Sequence, residues 1–189
     1  MNRMTLSDFE ARYRADPDPW GYTTSVYERD KYAATLAACG PGPFAHALEL
    51  GASIGVFSAM LAPHCDRLTT IDAAPTAVQL ARERLANTPG VQIILGTIPG
   101  AIPDGPYDLI VASEILYYLA ADELEATLDR LHAETRPGAR IVAVHWRPGG
   151  PERPLGADDV HAILRGQPWL QAVVRADTDD YRLDVLERP

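Results

Sequence analysis

From residue 45 onward, short apolar runs alternate with stretches in which apolar residues recur every three or four positions, the mark of alternating strands and helices. "AHALEL" (45–50) predicts a buried strand that runs into a glycine loop at Gly51. "VFSAMLAP" continues as a helix that Pro63 stops. "RLTTID" is a second strand ending at Asp72. Pro75 then opens the helix "PTAVQLARERLAN", whose Ala77, Leu80, Ala81 and Leu85 share one face. "VQIILG" and "YDLIVAS" are the third and fourth strands, and "EILYYL" follows the fourth directly. "ADELEATLDRLHAETR" is an amphipathic helix that Pro137-Gly138 ends, and "ARIVAVHW" is the fifth strand.

The tail differs. "GADDVHAILRG" is a short helix, after which "WLQAVVRAD" and "DYRLDVLER" form two strands around a tight turn. Strands joined that way must be antiparallel. Five βα units and a closing hairpin predict an α/β fold: a seven-stranded, mostly parallel sheet with a C-terminal antiparallel hairpin and helices on both faces. Runs such as "LIVA" and "IVAV" suit strands buried on both sides. The first 45 residues stand apart: a short helix "LSDFEARYR", a turn-rich "ADPDPWGYTTS" and a longer helix "SVYERDKYAATLAAC". Trp20, Tyr22, Tyr27 and Tyr32 crowd this region, either packing the helix onto the sheet or forming a lid. The expected organisation is a single domain over residues 1–189, with 1–45 as an N-terminal helical cap and 46–189 as a Rossmann-like core.

A formal net charge of −9 gives nucleic acid or an anionic membrane no electrostatic help and is compatible with a neutral or cationic small molecule. The apolar runs are too short for a membrane span, and the charged N-terminus lacks a signal-peptide core. Cys39 and Cys65 have no partners at metal-ligand spacing. The expectation is a cytoplasmic protein without a metal. Lys31 is the only lysine among many arginines, which reads as genome composition.

The chemistry turns on "LELGASIGVFSAML". Gly51-Ala-Ser-Ile-Gly55 fits the G-x-S-x-G elbow of an esterase, with Ser53 as nucleophile. Only 52 residues precede Ser53, however, and none resembles an oxyanion loop. A nicotinamide-binding turn needs a middle glycine to admit a pyrophosphate, and that position is Ser53. A loop for S-adenosylmethionine needs neither feature. It needs a bend that lets the backbone approach the ligand, which Gly51 and Gly55 allow. It also needs a carboxylate at the end of the next strand for the ribose hydroxyls, and Asp72 lies 21 residues after Gly51. Glu49, the acid just before the loop, is usual in this class, as is the closing hairpin.

"DPDPWGYTTSVYERDKY", "LELGASIGVFSAML", "YDLIVASEILYYL" and "AVHWR" resemble the nodulation-protein-S family of S-adenosylmethionine-dependent methyltransferases over nearly the whole chain. The resemblance implies a Rossmann-like class I methyltransferase fold, S-adenosyl-L-methionine as cofactor with S-adenosyl-L-homocysteine as product, and N-methylation of the free amino group at the glucosamine end of a chitin oligosaccharide. Carried over, Gly51, Ser53 and Gly55 form the cofactor loop and Asp72 is the ribose acid. Relatives often have Gly-Asp after the third strand, where this chain has Gly96-Thr97-Ile98. The adenine then meets the Thr97 hydroxyl or the backbone at Thr97 and Ile98. Position 52 is Ala where many relatives have Cys. In the lid alternative, Trp20 covers the cofactor and Arg29 on the following helix meets its carboxylate.

An amine must be neutral to attack a methyl group, so a proton acceptor is expected beside it. Strand ends at the switch point face the ligand. Those ends are Ser113-Glu114 and His145-Trp146, with Ser113 on the cofactor side and Glu114 and His145 as candidate acceptors. Tyr117, Tyr118 and His161 are candidate substrate contacts. Each has a plainer role: Glu114 as a helix cap, His145 as a satisfied strand-end histidine, one of the tyrosines as packing, and His161 as a surface or core residue. The reading is a small-molecule N-methyltransferase acting on an amino sugar or similar metabolite. O-methylation of a hydroxyl, a nicotinamide-dependent oxidoreductase and a non-catalytic binding domain are the alternatives.

Overall fold

The structure, a computed structural model, describes residues 3–150 and 152–189. Two helices come first, α1 (Leu6–Ala15) and α2 (Val26–Cys39). Thr5 caps α1 by a reciprocal bond with Asp8, and Ser25 Oγ accepts the Glu28 N–H at the start of α2. The core follows as β1 (Ala47–Leu50), α3 (Val56–Leu61), β2 (Leu68–Asp72), α4 (Pro75–Arg84), β3 (Val91–Leu95), β4 (Tyr107–Ser113), α5 (Ala121–Glu134), β5 (Thr135–Trp146), α6 (Ala157–Arg165), β6 (Gln171–Asp177) and β7 (Tyr181–Glu187).

The seven strands lie in the order β3-β2-β1-β4-β5-β7-β6. The first five are parallel; β7 runs antiparallel to β5, and β6 antiparallel to β7. The predicted sheet and hairpin are present. Leu50 pairs with Ile71 on one side and Ala112 on the other, which brings Gly51, Asp72 and Ser113 to the same end of the sheet. The chain reverses its direction of growth between β1 and β4, and crevices form outside the carboxyl ends of strands at such a reversal.

Both faces of the central strands are covered, which suits the apolar runs of β4 and β5, whereas the edge strand β6 is exposed along its length. Leu48, Leu50, Ile110, Ala112, Ile141 and Ala143 pack with Leu124, Leu128 and Leu131 of α5 and Val160 and Leu164 of α6. Ala47, Leu109, Val111, Val142 and Val144 pack with Tyr32 and Cys39 of α2 and Phe57 and Leu61 of α3. No helix among the described residues is long and apolar enough to cross a membrane.

One boundary departs from expectation. Pro137-Gly138 does not end a helix at residue 136. Instead α5 stops at Glu134, and β5 begins at Thr135, opposite Tyr107. The register slips between Tyr107 and Leu109, and this irregular stretch takes in a proline that a regular ladder would reject. Pro63 likewise falls inside a single 3₁₀ turn, Ala62–His64, that prolongs α3.

Two left-handed glycines separate backbone strain from packing. Gly55 (φ 75°) would place a Cβ 3.1 Å from Ala81 Cβ and 3.2 Å from Ala81 Cα, whereas Gly138 (φ 81°) has nothing within 4 Å of that position. Gly138→Ala should cost only the backbone term, about 1–2 kcal/mol. Gly55→Ala adds overpacking and should cost about 2–4 kcal/mol. Urea denaturation of both variants checks this; equal losses would mean that α4 gives way at Ala81.

Candidate active site

The loop after β1 curls over the end of β2. The Gly51 and Ala52 N–H groups donate to Ile71 O at 2.9 and 3.0 Å. Ser53 lies in the left-handed region (φ 51°) and its N–H donates to Asp72 Oδ2 at 2.7 Å; the Ala74 N–H donates to Oδ1 at 2.9 Å. Desolvation pushes the Asp72 carboxyl above its ordinary range, against the pull of these N–H groups. Ser53 Oγ pairs with Tyr13 Oη at 2.6 Å. No histidine lines the cavity described next, so Ser53 lacks the base an esterase needs.

That cavity, about 930 Å³, lies between the sheet's carboxyl ends and the N-terminal helices. Phe9 and Tyr13 of α1, Trp20 and Tyr22 of the connecting segment, and Tyr32 of α2 form one wall. Trp20 sits edge-on to Tyr13, with ring centroids 5.3 Å apart, and Phe9 meets Tyr118 at 5.0 Å. Glu10 of α1 accepts from the Thr76 N–H at 3.0 Å and from its hydroxyl at 2.7 Å, which pins the cap to α4. Of the expected cofactor and substrate residues, Trp20, Glu49, Gly51, Ser53, Asp72, Thr97 and Ile98 line the cavity, as do Ser113, Glu114, Tyr117 and Tyr118. Gly55 supports the loop from behind, against α4. Arg29 does not line the cavity; it is exposed and paired with Asp30 at 3.1 Å.

The other end of the cavity is charged. Lys31 Nζ, on α2, lies 2.8 Å from Glu114 Oε1 and 3.0 Å from Glu28 Oε2, with only 2% of the Lys31 side chain exposed. Glu114 Oε2 accepts from the Tyr117 hydroxyl and from the Trp146 N–H at 3.1 Å. Glu114 holds φ 58° and does not cap α5; Glu123 does so, accepting the Ala120 N–H at 2.8 Å. Sequence pattern alone leaves Glu28 and Lys31 without a role. Their signal is nonetheless present: an acid and a base three apart on one helical face, and the chain's only lysine.

His145 and His161 lie behind the cavity wall and do not border it. Both are fully buried. The Leu116 N–H donates to His145 Nε2 at 3.2 Å, so that nitrogen carries no proton. The His145 proton therefore sits on Nδ1 and is donated to His161 Nε2 at 3.0 Å. His161 Nδ1 in turn donates to Asp184 Oδ2 at 2.9 Å, and Arg165 donates to the same oxygen at 2.5 Å. Burial, then the neighbouring His161, pushes the His145 pKa well below the ordinary imidazole value. Both ring nitrogens of each histidine are used within the fold.

Glu49, buried at the end of β1, accepts the Ser58 hydroxyl at 2.5 Å, and burial raises its pKa to about 7. An acid raised in the folded state stabilises the fold below its unfolded pKa and loses that contribution as pH rises through the folded value. The loss is on the order of 3 kcal/mol at most. Glu49→Gln cannot ionise, so its Tm relative to the wild type's should climb between about pH 5 and pH 8. A pH-independent difference, read by thermal melts, would overturn this assignment.

Comparison with known proteins agrees with this arrangement. The family model for nodulation protein S (NodS) matches residues 6–144. Nodulation protein S of Rhizobium tropici is 34% identical over 158 residues, covering 81% of this chain and 66% of the relative. That of Bradyrhizobium diazoefficiens is 35% identical over 133 residues, covering 69% of this chain and 64% of the relative. The chain thus matches slightly less than two thirds of the length of these curated relatives. The crystal structure of the N-methyltransferase NodS from Bradyrhizobium japonicum WM9 in complex with S-adenosyl-L-homocysteine aligns with a TM-score of 0.88 at 28% identity, over 97% of this chain and 98% of that one. The likeness runs from the N-terminal cap through the closing hairpin, and the fold is the Rossmann-like class I fold of S-adenosylmethionine-dependent methyltransferases. With a family model spanning α1 to β5, the chain belongs to the nodulation protein S family.

Proposed function

We propose that the chain is an S-adenosylmethionine-dependent methyltransferase that methylates an amino group on a small molecule, with an amino sugar as the favoured class. The observation that carries this reading is the Asp72 carboxylate, set beside the Gly51–Gly55 loop at one end of a cavity whose other end holds Glu28, Lys31 and Glu114. The residues present fit the cofactor. Asp72 would hold the two ribose hydroxyls, and Thr97 and Ile98 would border the adenine. Ser113 Oγ, buried at the end of β4 without a partner, offers a further polar contact. Bound there, the cofactor supplies a methyl group already activated on a sulfonium sulfur.

The chain supplies the rest. The loop and the aromatic wall position the acceptor, and alignment of this kind contributes roughly 7–11 kcal/mol. The cap over the strand ends, residues 1–45 in this reading, excludes water from the reacting groups. Tyr117 and Tyr118 face the acceptor. Glu114 is tied to Lys31, Tyr117 and Trp146 and so shapes the acceptor end. His145 and His161 act from behind as positioning residues. An acceptor end built from two carboxylates and one ammonium favours an amine over a hydroxyl. The NodS structure that aligns over nearly the whole chain is that of an N-methyltransferase, which supports the same choice.

Calorimetry should show S-adenosylhomocysteine binding. Asp72→Ala removes charge-assisted hydrogen bonds of about 1.5–3 kcal/mol each and should weaken that binding by roughly tenfold or more. Unchanged affinity would remove Asp72 from the cofactor site. With a labelled methyl donor, a chitin oligosaccharide with a free terminal amine should take up label, and its fully N-acetylated counterpart should not. Equal labelling of both would point to a hydroxyl acceptor.

A further inference from the structure

Among the described residues, six buried side-chain polar atoms have no hydrogen-bond partner, and four of them belong to residues lining this one cavity: Tyr27 Oη, Glu28 Oε2, Ser113 Oγ and Arg153 Nε. Buried polar atoms are almost always paired, so such a cluster marks where a ligand's own polar groups belong. The two carboxylates at this end differ sharply. Glu114 is saturated, with Oε1 taken by Lys31 and Oε2 by Tyr117 and the Trp146 N–H. Glu28 is not. Lys31 donates to its Oε1 at 3.1 Å, while Oε2, 3.0 Å from the same nitrogen, lies outside hydrogen-bonding geometry and has no donor. Glu28 is only 9% exposed.

We propose that Glu28, rather than Glu114, receives the substrate's amino group at Oε2 and takes its proton. This rests on the amine reading above. Two carboxylates and one lysine leave the cluster a single negative charge, which an incoming ammonium neutralises. The step balances. One substrate N–H bond breaks and leaves its electron pair on nitrogen, and an O–H bond forms at Glu28. The freed pair forms a bond to the methyl carbon as the methyl–sulfur bond breaks and its electrons return to sulfur. S-adenosylhomocysteine is the leaving group, and the methylated amine departs as its own ammonium. Glu28 then releases its proton to water. The surroundings suit a proton acceptor. Desolvation raises the Glu28 pKa, the Lys31 ammonium on the same helix opposes that, and Glu114 from the end of β4 and Asp18 from the segment before α2 add to it. Lys31, fixed by Glu114, holds Glu28 in place.

The test compares wild-type protein, Glu28→Gln and Glu28→Asp. Glu28→Gln should lower kcat on the free-amine chitin oligosaccharide by about 10²–10⁴-fold, with S-adenosylhomocysteine affinity unchanged as the check on folding. The deficit should shrink as pH rises and the free amine becomes abundant, and Glu28→Asp should recover part of the rate. In calorimetry on the S-adenosylhomocysteine complex, Glu28→Gln should weaken binding of the free-amine oligosaccharide and leave the N-acetylated one unaffected. Wild-type transfer to the amine with a fully active Glu28→Gln overturns this inference alone. No wild-type transfer to the amine overturns the functional reading and this inference with it.

Discussion

The buried ion pair between Lys31 and Glu114 ties together parts of the chain that are far apart in sequence. Lys31 stands on α2 in the N-terminal cap; Glu114 sits at the end of β4 and also takes the Trp146 N–H at the end of β5. Two charges taken out of water repay their desolvation only with good geometry and further hydrogen bonds, and this pair has both. Its presence explains the left-handed Glu114 backbone: the turn after β4 must bring the carboxylate back between α2 and β5. Removing Lys31 would leave the Glu114 carboxylate with neutral donors alone, and removing Glu114 would leave Lys31 to Glu28. The pair thus joins α2 to the ends of β4 and β5 at the charged end of the cavity, as Glu10 and Thr76 join α1 to α4.

The sheet provides the complementary constraint. Its order places β1 between β2 and β4, so three neighbouring strand ends deliver the Gly51 loop, Asp72 and Glu114 to one crevice. Asp72 is held by the Ser53 and Ala74 N–H groups, which orient the carboxylate before any ligand arrives. The loop's left-handed residues and the closeness of Gly55 to Ala81 fix the bend against α4. The Gly51–Gly55 loop and Asp72 are thus local, built within the single unit β1-α3-β2. The charged end of the cavity is assembled from distant segments.

That difference decides what is legible in the sequence. The strands, the Gly51 loop and Asp72 follow from local pattern and spacing, and all lie where expected. The end of α5 does not, because Pro137-Gly138 is an ordinary helix stop and only the pairing of Thr135 with Tyr107 makes it part of a strand. Lys31 reads as composition, since its meaning comes from Glu114, 83 residues away. Arg29, two residues earlier on the same helix, looks the better cofactor ligand in sequence, but helical geometry turns it to solvent while Glu28 and Lys31 face inward. A strand-end position suggests a place in the pocket for His145. Side chains alternate along a strand, however, and at this position the pleat sends it to the far side of the wall.

The two histidines show how the closing hairpin reaches the site without touching it. Their proton positions are fixed in sequence by the Leu116 N–H, which can only donate, and by the Asp184 carboxylate on β7, which accepts. Each member of the chain therefore has one permitted orientation, unlike an apolar core that would tolerate several packings. The constraint ends at Leu116, in the 3₁₀ turn that carries Tyr117 toward Glu114. Burial that keeps His145 neutral is what makes the scheme consistent, because a second proton on its ring would set two N–H groups against each other at Leu116. The antiparallel hairpin, which supplies no residue to the cavity, thereby anchors the turn that carries Tyr117 through three side chains.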